Sequence, residues 1–190
     1  MHPGSLLPFE IAWIIFGMVW ALAAISVKPV ERAESARSRM FHVITNGLAF
    51  VLIFWEHARL GPLDMRVVPL TTGFEVTGVA LTYAGIGFAI WARFYLGGNW
   101  SGRVTLKQDH TLIQSGPYSI VRHPIYTGMV LAALGTAIGI GRLRCFVGVA
   151  LAFVSWLVKS RTEEALLITK FGERYEEYRR HVKAIIPFVY

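Results

Sequence analysis

FEVTGVALTYAGIGFAIWARFYL, residues 74–96, is a nearly unbroken apolar run with one acid, Glu75, and one base, Arg93. A helix rises about 1.5 Å per residue, so a run of this length covers the roughly 30 Å of hydrocarbon in a bilayer. Gly78, Gly85 and Gly87 are small enough to admit a second helix at close range. Trp91, Arg93 and Tyr95 mark the end at which the run returns to a membrane interface. The Gly85-Ile-Gly87 fragment follows no strand and is not a dinucleotide-binding fingerprint.

Similar runs recur on both sides, at residues 9–27, 41–58, 125–140 and 145–158. The whole chain is 190 residues long, 54% hydrophobic and only 16% charged, with mean hydropathy +0.49. That balance excludes an ordinary soluble domain. In lipid the backbone must satisfy its own polar groups, so the expected fold is an all-α integral membrane bundle of about five transmembrane helices in one domain, residues 1–190. Residues 1–10 carry no Lys or Arg and no small-residue cleavage site follows the first run, which reads as a retained span rather than a signal peptide. Asn46, inside the second run, is expected to bond across to a neighbouring helix. Glu56 and His57, beside Trp55, are expected to face water.

The formal charge of +7 and pI near 9.9 sit in the connections between apolar runs. Anionic lipid headgroups account for that pattern, and nucleic acid is not needed. Lys28, Arg32, Arg37 and Arg39 place the first connection in the cytoplasm. The N-terminus is then outside, and both the loop 97–124 and the tail 159–190 are cytoplasmic. Arg142 and Arg144, in the tight turn between the fourth and fifth runs, fall on the outer side and depart from the charge rule. A lone Cys145 rules out an internal disulfide and a multi-cysteine metal site. Nothing in these patterns fixes an oligomeric state.

The chemistry gathers at the cytoplasmic end. The loop from residue 97 to 118 is too long for a mere connector, and Leu106, Leu112 and Ile113 argue that it folds. It leads into Gly116-Pro-Tyr-Ser-Ile-Val-Arg-His-Pro-Ile-Tyr-Thr-Gly128. Pro124 reads as the first residue of a helix, whose free N–H groups and positive dipole end favour an anion, with Arg122 and His123 beside it. In the tail, Lys159 and Glu163 share a helix face, as Arg161 and Glu164 nearly do. Further on, Tyr175, Tyr178 and Val182 recur at helical spacing among charges, the pattern of an amphipathic helix that lies on the bundle or the membrane.

His110-Thr-Leu-Ile-Gln-Ser-Gly-Pro-Tyr118, then Arg122-His-Pro-Ile-Tyr-Thr-Gly128, then Glu163-Glu164-Ala-Leu-Leu with Phe171-Gly-Glu-Arg-Tyr175 and Tyr178, resembles the isoprenylcysteine carboxyl methyltransferase family over the C-terminal half of the chain. The resemblance implies a membrane methyltransferase that uses S-adenosyl-L-methionine and no metal. By position it implies cofactor contacts from His110, Thr111, Leu112, Ile113, Tyr118, His123, Pro124, Ile125 and Tyr126, and from Glu163 or Glu164. The residue types suit such a ligand, whose carboxylate, ammonium, sulfonium and adenine need an anion site, an acid and an apolar or aromatic slot. The implied acceptor is lipophilic or amphipathic, with an isoprenylcysteine carboxylate as the family's own.

Methyl transfer from a sulfonium is an in-line displacement, and an ionised carboxylate acceptor needs a cation to aim it rather than a base. The resemblance implies a basic residue about one turn before the tail glutamate, and family members with an arginine there can grip a carboxylate bidentately. Here that position is Lys159, with Arg161 two residues on, and these are the catalytic candidates. Lysine does not reproduce a bidentate grip on a carboxylate, which leaves a phospholipid amine or a small thiol open as acceptor. Membrane sterol reductases share the Gly-Pro-Tyr and Arg-His-Pro features, so an NADPH-dependent reductase is a second reading and a non-enzymatic membrane scaffold a third.

Overall fold

The computed structural model describes residues 5–23, 30–33, 35–55, 60–97, 105–107 and 111–187. Six helices dominate: α1 (Leu7–Ala23), α2 (Ala36–Phe54), α3 (Thr72–Leu96), α4 (Pro124–Ile140), α5 (Leu143–Phe171) and α6 (Glu173–His181). Their ends follow local chemistry. Ser35 and Thr71 cap α2 and α3 by accepting from the N–H of Ser38 and Phe74, and Pro124 opens α4 as the sequence predicts. Gly141, at φ 74°, closes α4 in the left-handed conformation that a side chain would oppose.

The expected third and fourth spans coincide with α3 and α4 to within two residues. The second was placed too far along: α2 begins at Ala36 and ends at Phe54, and Glu56 and His57 lie outside the described residues. The expected boundary between the fifth span and the tail falls inside one helix, since no glycine or proline stands between Gly148 and Gly172. Val182 caps α6 in extended backbone and is not part of its helical face. The expected all-α class holds, with one small addition. Two short strands, β1 (Val30–Ala33) and β2 (Thr105–Lys107), pair antiparallel and join the first connection to the long loop.

α3 and α4 form the closest pair, antiparallel and in backbone contact. Gly78, Thr82, Gly85 and Ala89 on α3 repeat at the same helical spacing as Gly128, Ala132, Gly135 and Gly139 on α4. A Cβ on Gly85 would lie 2.5 Å from the Gly128 carbonyl and the Ala132 nitrogen, and one on Gly135 would lie 2.6 Å from the Thr82 nitrogen. Gly87, the third glycine of the opening run, points elsewhere, with nothing within 4 Å of its would-be Cβ. Gly85→Val should therefore force the helices apart and destabilise the protein by about 2 kcal/mol or more, at the upper end of overpacking costs. Gly87→Ala should cost nothing. Thermal unfolding in detergent checks both.

Polar side chains fasten the remaining contacts. Thr136 of α4 accepts from the Trp13 indole of α1 at 3.1 Å and meets Thr82 of α3 at 3.2 Å, linking three helices. Asn46 donates to Ser155 of α5 at 3.0 Å, the cross-helix bond expected of it, with His42 and Thr45 on the same hydroxyl. Arg144, 2% exposed, donates to the terminal carbonyls of α2 at Leu52 and Ile53 and pairs with Asp64 at 3.0 Å. Its charge is engaged inside the protein, which explains why Arg144 need not follow the charge rule.

By length and composition α3 and α5 are long and apolar enough to cross a membrane, while α1 and α4 are apolar and 17 residues long. Ile11, Ile14, Met18 and Leu22 of α1, and Val43, Ile44, Leu48 and Val51 of α2, are exposed. An apolar exterior this extensive suits lipid as the solvent.

Candidate functional site

The site forms where α4 starts and the apolar part of α5 has ended. Pro117 and Tyr118 are buried in a short 3-10 turn, Gly116–Ser119, that aims the chain at Arg122 and His123. Gly116, at φ 59°, lets this turn pass over Tyr95, whose ring would lie 2.6 Å from a Cβ there. The C-terminal segment then straps the junction. The N–H groups of Arg122 and His123 donate to the carbonyls of Lys183 and Ala184 at 2.8 and 2.9 Å, and the Thr127 hydroxyl donates to Ile185 O at 2.6 Å. Tyr178 of α6 donates its hydroxyl to Tyr118 O, drawing α6 onto the same turn.

Two adjacent glutamates of α5 divide the junction between them. Glu164 takes Arg122 Nη2 at 2.8 Å and Nε at 2.9 Å on one oxygen, which also lies 2.9 Å from His123 Nε2. Glu163 accepts from the Tyr126 hydroxyl at 2.6 Å and lies 3.6 Å from His123 Nδ1. His123 stacks on Tyr126 with ring centroids 5.7 Å apart, and Lys159 Nζ sits 5.9 Å from the Tyr126 centroid. Successive residues of one helix thus reach both ring nitrogens of a single buried histidine.

Burial opposes charge on all three groups, yet the cluster overrides it. Desolvation works against His123, but hydrogen bonds and charge from Glu163 and Glu164 raise its pKa above the ordinary value. Desolvation likewise works against both carboxylates. The His123 hydrogen bond, with Lys159 for Glu163 and Arg122 for Glu164, holds them below theirs. The raised His123 therefore contributes stability that is complete below about pH 6.5 and lost as pH rises through its folded value. The lowered glutamates contribute stability that is complete above about pH 4.3 and lost as pH falls through theirs. Thermal unfolding in detergent should be flat between about pH 4.5 and 6.5 and decline on either side. His123→Gln should remove the alkaline decline.

A model of the isoprenylcysteine carboxyl methyltransferase (ICMT) family matches residues 78–169, from α3 through most of α5. The human protein-S-isoprenylcysteine O-methyltransferase is 30% identical over 203 residues, an alignment that takes in 98% of this chain and 70% of the human protein. This chain belongs to the isoprenylcysteine carboxyl methyltransferase family. The enzyme of the same name from Schizosaccharomyces pombe is 42% identical over 86 residues, which are 43% of this chain and 35% of that protein. The chain is thus matched to well under two thirds of that relative's length. A solved structure described as the eukaryotic intramembrane Ras methyltransferase ICMT superposes with TM-score 0.59 at 22% identity, covering 96% of this chain and 68% of that one. The fold is shared.

Among the residues that the ICMT resemblance singles out, the structure brings together His123, Pro124, Tyr126, Lys159, Glu163 and Glu164. Thr111, Leu112 and Ile113 precede the Gly116–Ser119 turn, the first exposed and the other two half-buried. His110 lies outside the described residues. Tyr118 is buried, and its polar groups serve the fold, its hydroxyl donating to Ala92 O at 3.4 Å and its carbonyl accepting from Tyr178. The face shared by Arg161 and Glu164 does not pair them alone, because Glu164 turns to Arg122 and His123. Arg161 instead lines a cavity on the far side of α5 from Lys159. Sequence reasoning missed the strap. Its signal was the return to apolar residues at Ala184 and Ile185 after the charges of α6.

Proposed function

We propose that residues 1–190 form a single membrane methyltransferase domain that transfers a methyl group from S-adenosyl-L-methionine to the carboxylate of an isoprenylated cysteine. The observation that carries this reading is the ionised Glu163, half-buried beside His123, Tyr126 and Lys159 at the start of α4, in a chain of this family. That donor set fits the cofactor. Glu163 would hold its ammonium, the first-turn N–H groups of α4 at Ile125 and Tyr126 its carboxylate, and Tyr126 with Leu112 and Ile113 its adenine. When bound, the cofactor supplies an electrophilic methyl on sulfur.

Lys159, on the Tyr126 side of α5, aims the acceptor carboxylate, which needs no base at neutral pH. Arg122 keeps Glu164 ionised, and Glu164 in turn fixes the His123 ring so that Glu163 stays in place. The apolar helices on either side exclude water and admit a lipophilic tail from the bilayer. In this arrangement the apolar runs of α1 to α5 are the five spans, that of α5 ending at Val158, the N-terminus is outside, and α6 lies at the cytoplasmic surface with Tyr175 and Tyr178 turned inward.

Lys159, where an arginine could grip a carboxylate with two parallel bonds, favours a second acceptor class, a phospholipid amine or a small thiol, since a single ammonium grips a carboxylate without bidentate geometry. Membership of the family leaves the reductase and scaffold readings without support. Calorimetry of S-adenosylhomocysteine with detergent-purified protein tests the cofactor. Binding should be lost in Glu163→Gln and His123→Ala, and no binding by folded wild type would overturn the proposal. Labelled methyl donor offered with an S-farnesylcysteine, a phospholipid amine or a thiol then separates the acceptors.

A further inference from the structure

A cavity of about 450 Å³ opens between α5, α6 and the C-terminal strap, lined by Arg122, Arg161, Glu164, Ala165, Ile168, Arg179, Lys183 and Ala184. It shares Arg122 and Glu164 with the junction and opens on the other side of α5 from Glu163. At about 100° per residue, Arg161, Ala165 and Ile168 sit on the side of α5 turned roughly opposite to Lys159 and Glu163. Four cations from four separate segments meet here with one acid, and that acid already holds Arg122 at 2.8 Å. Arg179 also pairs with Glu176 of α6 at 3.8 Å, so a net charge of about +2 remains when these six ionised groups are summed. Neighbouring cations repel, so drawing them to one cavity costs stability unless an anion occupies it. The floor is Ala165, Ile168 and Ala184, apolar enough for the carbon next to a charged headgroup but offering no acid for an amine.

We infer that this cavity is a binding site for a phosphate group, delivered by an anionic phospholipid headgroup or by a free phosphate ester. The charge suits a phosphate mono- or diester, which accepts several guanidinium and ammonium donors at once. Its place suits a headgroup, because the apolar run of α5 ends at Val158, about one turn before Arg161. The site does not depend on the methyltransferase reading, which gives no role to Arg161, Arg179 or Lys183, although the two share Arg122 and Glu164.

The test uses the full chain in lipid nanodiscs and native mass spectrometry. Phosphatidylglycerol should be retained in preference to phosphatidylcholine, and Arg179→Gln with Lys183→Gln should lower that retention at least tenfold. A second pair on the same helix and outside the cavity, Arg174→Gln with Arg180→Gln, removes the same charge and should change it less than twofold. Equal loss in both pairs would mean diffuse attraction to an anionic surface and would overturn the site. Calorimetry in detergent with glycerol 3-phosphate distinguishes the sources: binding that the cavity pair abolishes assigns a free phosphate ester, and lipid retention without it assigns the headgroup. Neither kind of binding by wild type would overturn the proposal, as would displacement of the bound phosphate by one equivalent of S-adenosylhomocysteine.

Discussion

Glu164→Gln should destabilise the folded protein by about 3 kcal/mol, at the lower end of what is lost when one member of a buried ion pair is removed. The glutamine keeps the shape, so the effect is electrostatic. Arg122, 2.8 Å from a Glu164 oxygen, loses its counter-charge, and His123, 2.9 Å from the same oxygen, keeps only Glu163 at 3.6 Å. Among the described residues Arg122 retains the carbonyls of Arg179 and Val182, and a carbonyl dipole does not neutralise a guanidinium. His123 can respond by losing its proton, which limits the cost and lowers its pKa toward the ordinary value. Unfolding in detergent measures the first effect and histidine NMR titration the second. Arg122→Gln combined with Glu164→Gln should recover part of the lost stability, because the double variant leaves no uncompensated guanidinium. An additive double variant would mean that the two side chains act separately.

The sequence was informative where a local rule decides the outcome. A proline after an Arg-His pair sets a helix start, and α4 begins at Pro124. Glycines at helical spacing signal a close partner, and Gly78 and Gly85 find one in α4. The same rule failed for Gly87, because spacing alone does not say which face of a helix has a neighbour. Adjacent glutamates in a helix diverge by about 100°, yet both reach His123, since the imidazole presents a nitrogen on each side. No pattern in the sequence shows that convergence. It depends on how α4 crosses α5 and on the strap from Lys183 to Ile185, contacts 58 to 61 residues apart in the chain. The β1–β2 ribbon was hidden for the same reason: its strands are four and three residues long and pair across more than seventy positions.

Lys159→Met should lower the methyl-transfer rate about 100-fold, equivalent to about 2.7 kcal/mol of transition-state stabilisation. Arg161→Gln should lower it by about threefold or less. Both residues are cations in one helix and composition does not separate them, but their positions do. Lys159 stands over the Tyr126 ring whose hydroxyl binds Glu163, so its ammonium and the proposed cofactor site share one side of α5. Arg161 is about 200° further round, in the cavity with Arg179 and Lys183. An in-line displacement tolerates little misalignment, and a cation on the far side of a helix has no means to aim the acceptor. The loss in Lys159→Met should appear in the single-turnover rate with S-adenosylhomocysteine affinity kept within about threefold, because the lysine's task is the acceptor. Lys159→Arg distinguishes the acceptors. With a carboxylate it should equal or exceed wild type, as arginine restores the bidentate grip, whereas with an amine acceptor the added guanidinium should slow transfer by crowding the nucleophile.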